Sequence, residues 1–433
     1  MSRSNLSLKD LCIFVNGGAW NESEYAVQGI PVFKVSNIKG AEIDLSNVDY
    51  LPISSAEKYQ RHFLKENDLI IATVGSHQGL ANSAAGRGLT VNRKIAGYLL
   101  NQNAVCIRTA RPDILHQKYV GYIGKSEHFK HFIQTRGRGA ANQMRIAVGE
   151  IKEYVPHLPS LDVQSKIVSV LSAYDELIDN NRSRINLLNE MAAALYELCF
   201  VRKQMPNDAG EKAAIESGPW QEVKLSSLIT KLESGSRPKG GIDKSLKTGI
   251  ASIGAENVIG AGSYKYGNER LISTDFFNCM KKGKVEQKDI LIYKDGAYIG
   301  KTSMFQDDFP HKICAVNEHV FLINSKNRFM QNYLYYTLSR EEYYEKMQAL
   351  NSNSAQPGLN RDKLGALDVI KPPDDLIARF NDFVEPMVKL IFNLAKQNRL
   401  IEEAQSLLMP RLMTGNVDID EYIEGAGARI AAE

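Results

Sequence analysis

Residues 296–302 read Gly-Ala-Tyr-Ile-Gly-Lys-Thr, and a glycine-rich turn ending in Lys-Thr has the composition of a nucleotide-phosphate cradle. That chemistry needs four residues between the glycines, so that successive backbone amides wrap the phosphate. Here there are three, and the related run Gly75–Ala81 (GSHQGLA) lacks Lys-Thr. Both read as strand-end turns whose glycines let the backbone approach another surface closely. Pro206, Asp208 and Glu222-Val-Lys224 outline a metal-dependent nuclease triad, but they straddle a polar stretch and their spacing reads as chance. There is no Asp/Asn-Pro-Pro-aromatic tetrad and no glycine fingerprint for a methyl donor, and the eight histidines show no metal-ligand spacing. The five cysteines (Cys12, Cys106, Cys199, Cys279 and Cys314) are odd in number and form no CxxC pair. They read as reduced thiols of a cytoplasmic protein, not as a disulfide framework or zinc site. No catalytic residue, metal or cofactor is expected.

What remains are polar and basic residues near turns, the side chains that bond base edges and phosphates. In the first half these are Ser76, His77, Gln78, Arg87, Arg93, Lys94, Arg136, Arg138, Asn142 and Gln143. In the second they are Arg237, Lys239, Lys294, Asp295, Tyr298, Lys301, Asn353, Gln356 and Asn360. Arginine suits guanine, and asparagine or glutamine suits adenine, in a major groove. Each is equally an ordinary turn or surface residue, and fewer than half are expected to touch nucleic acid. Gln143 and Gln356 occupy matching positions, so their shared role reads as structural. Residues 1–160 hold 19 Lys/Arg against 13 Asp/Glu, and Gly86–Lys94 and Phe129–Ala147 contain no acid. Such stretches suit a phosphate backbone, although solvated surface has the same composition.

The elements that position these residues occur twice. SLKDLCIFVNGGAW is answered by KLSSLITKLESGSRP, and Gly29–Asn37 by Gly249–Asn257. Asp68–Gly79 (DLIIATVGSHQG) matches Asp289–Gly300 (DILIYKDGAYIG), and Leu100–Ile107 matches Val316–Ile323. QKYVGY at Gln117 matches QNYLYY at Gln331, and the stretch ending at Ile151 matches the one ending at Leu364. Six matches in order, 213–221 residues apart, establish a duplication. Short β-branched runs bounded by Gly, Asn and Pro, with helical stretches such as Met330–Leu350, make each copy a β-rich α+β domain.

Each domain is followed by a long helical segment, the first through Ser160 as N-cap. Ile167, Leu171, Tyr174, Ile178, Asn181, Ile185, Leu188, Ala192, Leu195 and Cys199 alternate steps of four and three. So do Phe380, Val384, Met387, Ile391, Leu394, Asn398, Ile401, Gln405, Leu408 and Leu412. These are heptad seams. Each could pack on its own neighbouring domain, but two matched seams in one chain favour mutual pairing. Asn181 falls at a d position and Asn398 at an a position, which face each other in an antiparallel pair. A parallel pair would set each amide against an apolar side chain, at about 1–3 kcal/mol per unsatisfied group. The seams therefore predict an antiparallel coiled coil whose register is set by Asn181 beside Asn398. Pro386 is expected to kink or restart the second helix and Pro410 to end it. Two similar domains on such a pair would share the dyad symmetry of duplex DNA. The 33 residues from Ile167 to Cys199 span about 50 Å of helix, at most roughly 14 base pairs.

The order of these phrases resembles the specificity subunits of type I restriction–modification systems. DLIIATVGSHQG and DILIYKDGAYIG, the helix start LPSLDVQSKIVSVLSAYDELIDNN, and the helix exits NEMAAALYELCF and LLMPRLMTGNV carry the resemblance, to about Val417. It implies target-recognition domains at 1–159 and 220–372, spacer helices at 160–203 and 373–415, a linker at 204–219 and a tail at 416–433. It further implies a non-catalytic, cytoplasmic protein without a membrane partner. Each domain would read half of a bipartite double-stranded DNA site, and the helices would dock two methyltransferase subunits, with restriction subunits in the full complex. The second helix start, KPPDDLIARF, departs from the pattern in having Ile377 where the first has Gln164, which argues against equivalent docking surfaces. A stand-alone protein-binding scaffold is the main rival; a specificity module of a related combined restriction enzyme is another.

Overall fold

The computed structural model describes residues 6–39, 42–75, 85–137, 144–206, 212–214, 218–243, 245–267, 269–325, 327–350 and 358–430. Two units result: 1–175 with 403–433, and 176–402.

In the first unit a four-stranded antiparallel sheet has the order Cys12–Asn16, Ala104–Thr109, Leu69–Ala72, Gly88–Thr90. The second strand-pair system joins Ile30–Phe33 antiparallel to Asp49–Leu51 and parallel to Leu99–Leu100. Leu69–Ala72 is apolar throughout because both of its faces are covered. Leu69 and Ile71 meet Tyr119, Val120 and Ile123 of the helix Gln117–Lys125, whereas Ile70 faces Phe33, Leu89 and Val91. The alternation is the two-residue period of a strand.

The second unit repeats this plan. Its four-stranded sheet runs Ile229–Ser234, Val320–Ser325, Ile290–Tyr293, Thr302–Met304. Ile250–Ile253 again lies antiparallel to Arg270–Ile272 and parallel to Cys314–Val316. The helices Arg328–Leu338 and Glu341–Ala349 cover the sheet through Tyr333, Leu334 and Met347. The duplicated α+β domain read from the sequence is thus present in both halves.

The first long helix is Leu161–Tyr196, continued by a π-helical turn, Glu197–Val201. It starts at Ser160, whose Oγ accepts the Val163 amide at 3.3 Å. The second runs unbroken from Asp374 to Met413. In the second unit Asn181 and Ile178 both bond Asn398, while Ile185 and Ile391 lie against Gly262. As one helix advances the other recedes, so the coiled coil is antiparallel. Arg182 reaches Glu402 at 2.8 Å along its flank.

Three expectations are corrected. Pro386 and Pro410 neither restart nor end the second helix. An interior proline costs about 3 kcal/mol, whereas Phe380, Val384, Val388 and Ile391 are all buried at roughly 1.5–3 kcal/mol each. At the far end the Pro410 carbonyl still accepts the Thr414 amide at 3.1 Å, so only the proline's own amide bond is missing. The segment read as a tail contains the helix Ile419–Ile430. In the first unit Ile419 is buried, Asp420 pairs with Lys166 at 2.9 Å, and the Tyr422 and Tyr174 hydroxyls meet at 3.0 Å. The linker holds a short antiparallel pair, Gln204–Pro206 with Lys212–Ala214.

Candidate nucleic-acid interface

In both units the loop of interest leaves the buried inner strand, and a carboxylate anchors that strand's start. Asp68 accepts the Lys65 amide at 2.7 Å and a two-pronged bond from Arg108 Nε and Nη2, each 2.7 Å. Asp289 accepts the Glu286 amide at 2.8 Å, Lys231 Nζ at 2.8 Å and Asn324 Nδ2 at 2.8 Å. Burial pushes the Asp289 carboxyl above its ordinary range, and Lys231 opposes that rise. The preceding residues, Asn67 (φ 69°) and Lys288 (φ 63°), are left-handed. Their carbonyls are taken by Gln117 Nε2 at 2.7 Å and Gln331 Nε2 at 2.6 Å. Each glutamine's Oε1 accepts a strand-end amide at 2.8 Å, from Thr109 and Ser325 respectively. The loop-amide and glutamine bonds of the clamp are therefore duplicated one for one, while the cations on the aspartates differ.

In the second unit the clamp presents the turn 294–301 between Ile290–Tyr293 and Thr302–Met304. A hairpin follows, not a strand-to-helix turn, so this geometry lacks the helix N-terminus that a phosphate cradle uses. Gly296 (φ 125°) and Gly300 (φ 91°) require left-handed backbone. The Gly300 amide donates to the Tyr293 carbonyl at 2.9 Å, and Gln348 Nε2 donates to the Ile299 carbonyl at 2.5 Å. The turn holds Tyr298 outward, 53% exposed, with Lys301 Nζ 4.1 Å above its ring. Beside it lies a charge network from three segments. Lys294 bonds Asp295 at 3.2 Å and the Glu318 carbonyl at 3.1 Å. His319 Nδ1 lies 3.0 Å from Asp295, and Arg237 pairs with Glu318 at 3.2 Å. The structure thus gathers Arg237, Lys294, Asp295, Tyr298 and Lys301, while Lys239 stands exposed. Asn360 is spent as an N-cap, its Oδ1 accepting the Asp362 amide at 2.7 Å. Asn353 and Gln356 lie outside the described residues.

In the first unit Val74–Gly75 pairs with Met144–Arg145 at the same place. Ser76, His77, Gln78, Arg138, Asn142 and Gln143 lie outside the described residues. Arg136 stacks on Phe132 at 3.7 Å and reaches Glu150 at 3.6 Å. Arg93 is exposed and pairs loosely with Glu66 at 3.4 Å, Lys94 is exposed, and Arg87 is half-buried. These residues are not brought into one described cluster.

Glu318 and His319 belong to the network but escaped the sequence reading. Their signal was position: they interrupt the repeated phrase Val316–Ile323 where it turns into a strand. Gln164 also has a role that spacing did not show. It is fully buried, accepts the His116 amide at 2.9 Å, and donates to the Ile114 and Pro159 carbonyls at 2.8 and 2.9 Å. It fastens the helix start to its domain and belongs to no docking surface. Ile377 serves the equivalent place by apolar burial.

Burial pushes the Cys12 and Cys314 thiols up to about 12 and Cys199 to about 11, far from thiolate chemistry. Among the described residues there is no His/Cys/Asp/Glu cluster suited to a metal. No described helix is long and apolar enough to cross a membrane.

A duplicated α+β domain that offers turn-borne polar groups, joined through antiparallel helices, defines a paired recognition module. The chain belongs to the family of the type I restriction modification DNA specificity domain, whose family model matches residues 4–190 and 217–400. It is 25% identical over 417 residues to the type I restriction enzyme MjaIX specificity subunit of Methanocaldococcus jannaschii, covering 92% of each chain. It is 22% identical over 383 residues to the MjaVIII specificity subunit of the same organism, covering 86% of this chain and 85% of that one. Its fold is similar to the crystal structure of a type I restriction–modification S subunit from M. genitalium. That likeness has a TM-score of 0.55 and 16% identity, over 94% of this chain and 95% of the other.

Proposed function

We propose that this chain is the non-catalytic DNA-reading subunit of a type I restriction–modification enzyme. Each domain reads one half of a bipartite double-stranded site, the helix pair sets the spacer, and two methyltransferase subunits dock on the helices. Restriction subunits complete the assembly in the cytoplasm. The observation that carries this reading is the duplicated clamp under unlike loops: Asp68 with Gln117 and Asp289 with Gln331 hold the same strand start. The strands then lead into Gly-Ser-His-Gln-Gly in one half and Gly-Ala-Tyr-Ile-Gly in the other. A shared frame with different turn chemistry suits two different half-sites. In the second domain Tyr298, Lys301, Lys294 and Arg237 are the first candidates for contact with DNA, and Asp295 for a cytosine amino group.

The test is co-expression with the methyltransferase encoded beside it, followed by genome-wide mapping of adenine methylation. The reading expects a bipartite motif that loses one half, and keeps the other, when residues 1–159 are exchanged for another such domain. An active complex that adds no new methylated motif would overturn it. A protein-binding scaffold would instead show no salt-dependent duplex binding.

A further inference from the structure

Just past the buried inner strand, both units make the same two main-chain bonds. The Thr73 amide donates to the Asn103 carbonyl, and the Thr73 carbonyl accepts the Ile146 amide, each at 2.8 Å. In the second unit the Lys294 amide donates to the His319 carbonyl, and the Lys294 carbonyl accepts the Leu359 amide, each at 2.9 Å. The backbones match, but the side chains do not. Thr73, Val74, Gln102 and Asn103 carry no ionisable group, whereas Lys294, Asp295, Glu318 and His319 at the corresponding places all do.

Those four side chains and Arg237 form a set in which each acid is shared between one permanent cation and the imidazole. Asp295 Oδ2 accepts Lys294 Nζ at 3.2 Å and lies 3.0 Å from His319 Nδ1. Glu318 Oε1 lies 3.2 Å from Arg237 Nε and 3.6 Å from His319 Nε2. Among the described residues, the charged groups that meet the ring or its partners come from three segments. Lys294 and Asp295 belong to the turn, Glu318 to the ring's own segment, and Arg237 to the stretch after Ile229–Ser234. With both cations in place, two positive charges offset two negative ones. His319 is exposed, so solvent reaches it.

Duplex DNA changes that balance. Lysine and arginine are drawn to phosphates, and each cation that turns to DNA leaves a carboxylate behind it. A protonated histidine donates from both ring nitrogens, so one imidazolium serves the Asp295 and Glu318 carboxylates together. Histidine is also the side chain whose ordinary charge change falls at about pH 5–8.

We propose that His319 takes up a proton from solvent when the second domain binds DNA, replacing Lys294 and Arg237 as the partner of Asp295 and Glu318. Resting on the functional reading above, His319 is a positioning residue of one half-site: it holds the two acids while the cations engage the duplex. Protonation and DNA binding then favour each other reciprocally, so affinity rises as pH falls. The first domain, with four uncharged side chains at the matching junction, has no such device there.

The experiment titrates the full-length chain, in complex with its methyltransferase subunit, with a duplex carrying the bipartite motif that methylation mapping defines. At constant salt the parent is expected to bind about three- to tenfold more tightly at about pH 6 than at about pH 8. His319→Gln keeps a donor for Asp295 but cannot become charged, and should lose most of that difference while keeping the parent's thermal midpoint. His319→Lys, charged throughout, should also bind alike at both pH values. Calorimetry in two buffers of unlike ionisation heat reads the proton itself, and the parent should take up more than His319→Gln does. Equal pH dependence and equal proton uptake in the parent and His319→Gln overturn the inference and leave the functional reading standing. A complex that binds the duplex at neither pH overturns both.

Discussion

The two units hold the same buried carboxylate with cations from different strands. In the first, Arg108 stands across from Ile13 in the strand ladder and bonds Asp68. In the second, the register pairs Lys231 with Asn324, so the cation has moved to the neighbouring strand and an amide occupies the arginine's place. What is kept is neutralisation of the carboxylate, not a particular residue. The helix pair is uneven in a related way. Asn181 with Asn398 forms a polar layer, whereas the equivalent positions, Ile185 and Leu394, are apolar and buried. In the first unit Asp175 accepts a bond from Gln405 at 2.7 Å; the equivalent positions in the second, Ala192 and Val388, are apolar and buried. Polar layers fix register at some cost in stability, so the duplicated helices carry their register information asymmetrically.

The most severe way to break the comparison is Arg108→Ala. It leaves Asp68 buried and unpaired, at an expected cost of about 3–5 kcal/mol. Hydrogen exchange of the Leu69–Ala72 amides should report it. The sharper experiment adds the second unit's solution to the first: Ile13→Lys with Arg108→Asn should recover at least half of that loss. No recovery would mean that the cation's strand matters after all. Next in size, Asn181→Leu removes the donor to Asn398 Oδ1 and should cost about 1–3 kcal/mol in urea unfolding. Adding Asn398→Leu should restore stability to the parent value or above it. Gln164→Ile copies the second helix start onto the first, and about 1–2 kcal/mol should be lost because three backbone groups lose their partner. Smallest in stability is Arg237→Ala, whose exposed pair with Glu318 should leave the unfolding midpoint unchanged. Duplex binding should nonetheless weaken, with a salt dependence shallower by about one charge.

The features legible in the sequence are those set by period. Duplication, both seams and the facing asparagines follow from spacing alone, since a heptad position determines which side chain meets which. The Asp68 and Asp289 clamps were only half legible: the aspartates recur in the repeat, but their cations depend on cross-strand register, which separated residues do not announce. The prolines of the second helix and the helix Ile419–Ile430 were misread for one reason. Pro386 and Pro410 were weighed as breakers, and the resemblance stopped near Val417, without the tertiary burial of Phe380, Val384 and Ile419. The strand-end turns were legible as turns, but the network linking Arg237 to His319 arises from three distant segments.

Gln164 has one property with a consequence for how such chains change over time. Every partner it holds is a main-chain atom: the His116 amide and the Ile114 and Pro159 carbonyls. The fastening that Gln164 supplies is thus indifferent to the side chains it faces on the domain, unlike the Asp175 carboxylate one helix stretch further on, which takes Tyr122 and Lys125. A gene segment encoding a foreign domain of the same backbone would meet an unchanged fastening. An exchanged domain would then have to re-fit the Asp175 contacts and the packing around Ile167 and Leu171, but not this one.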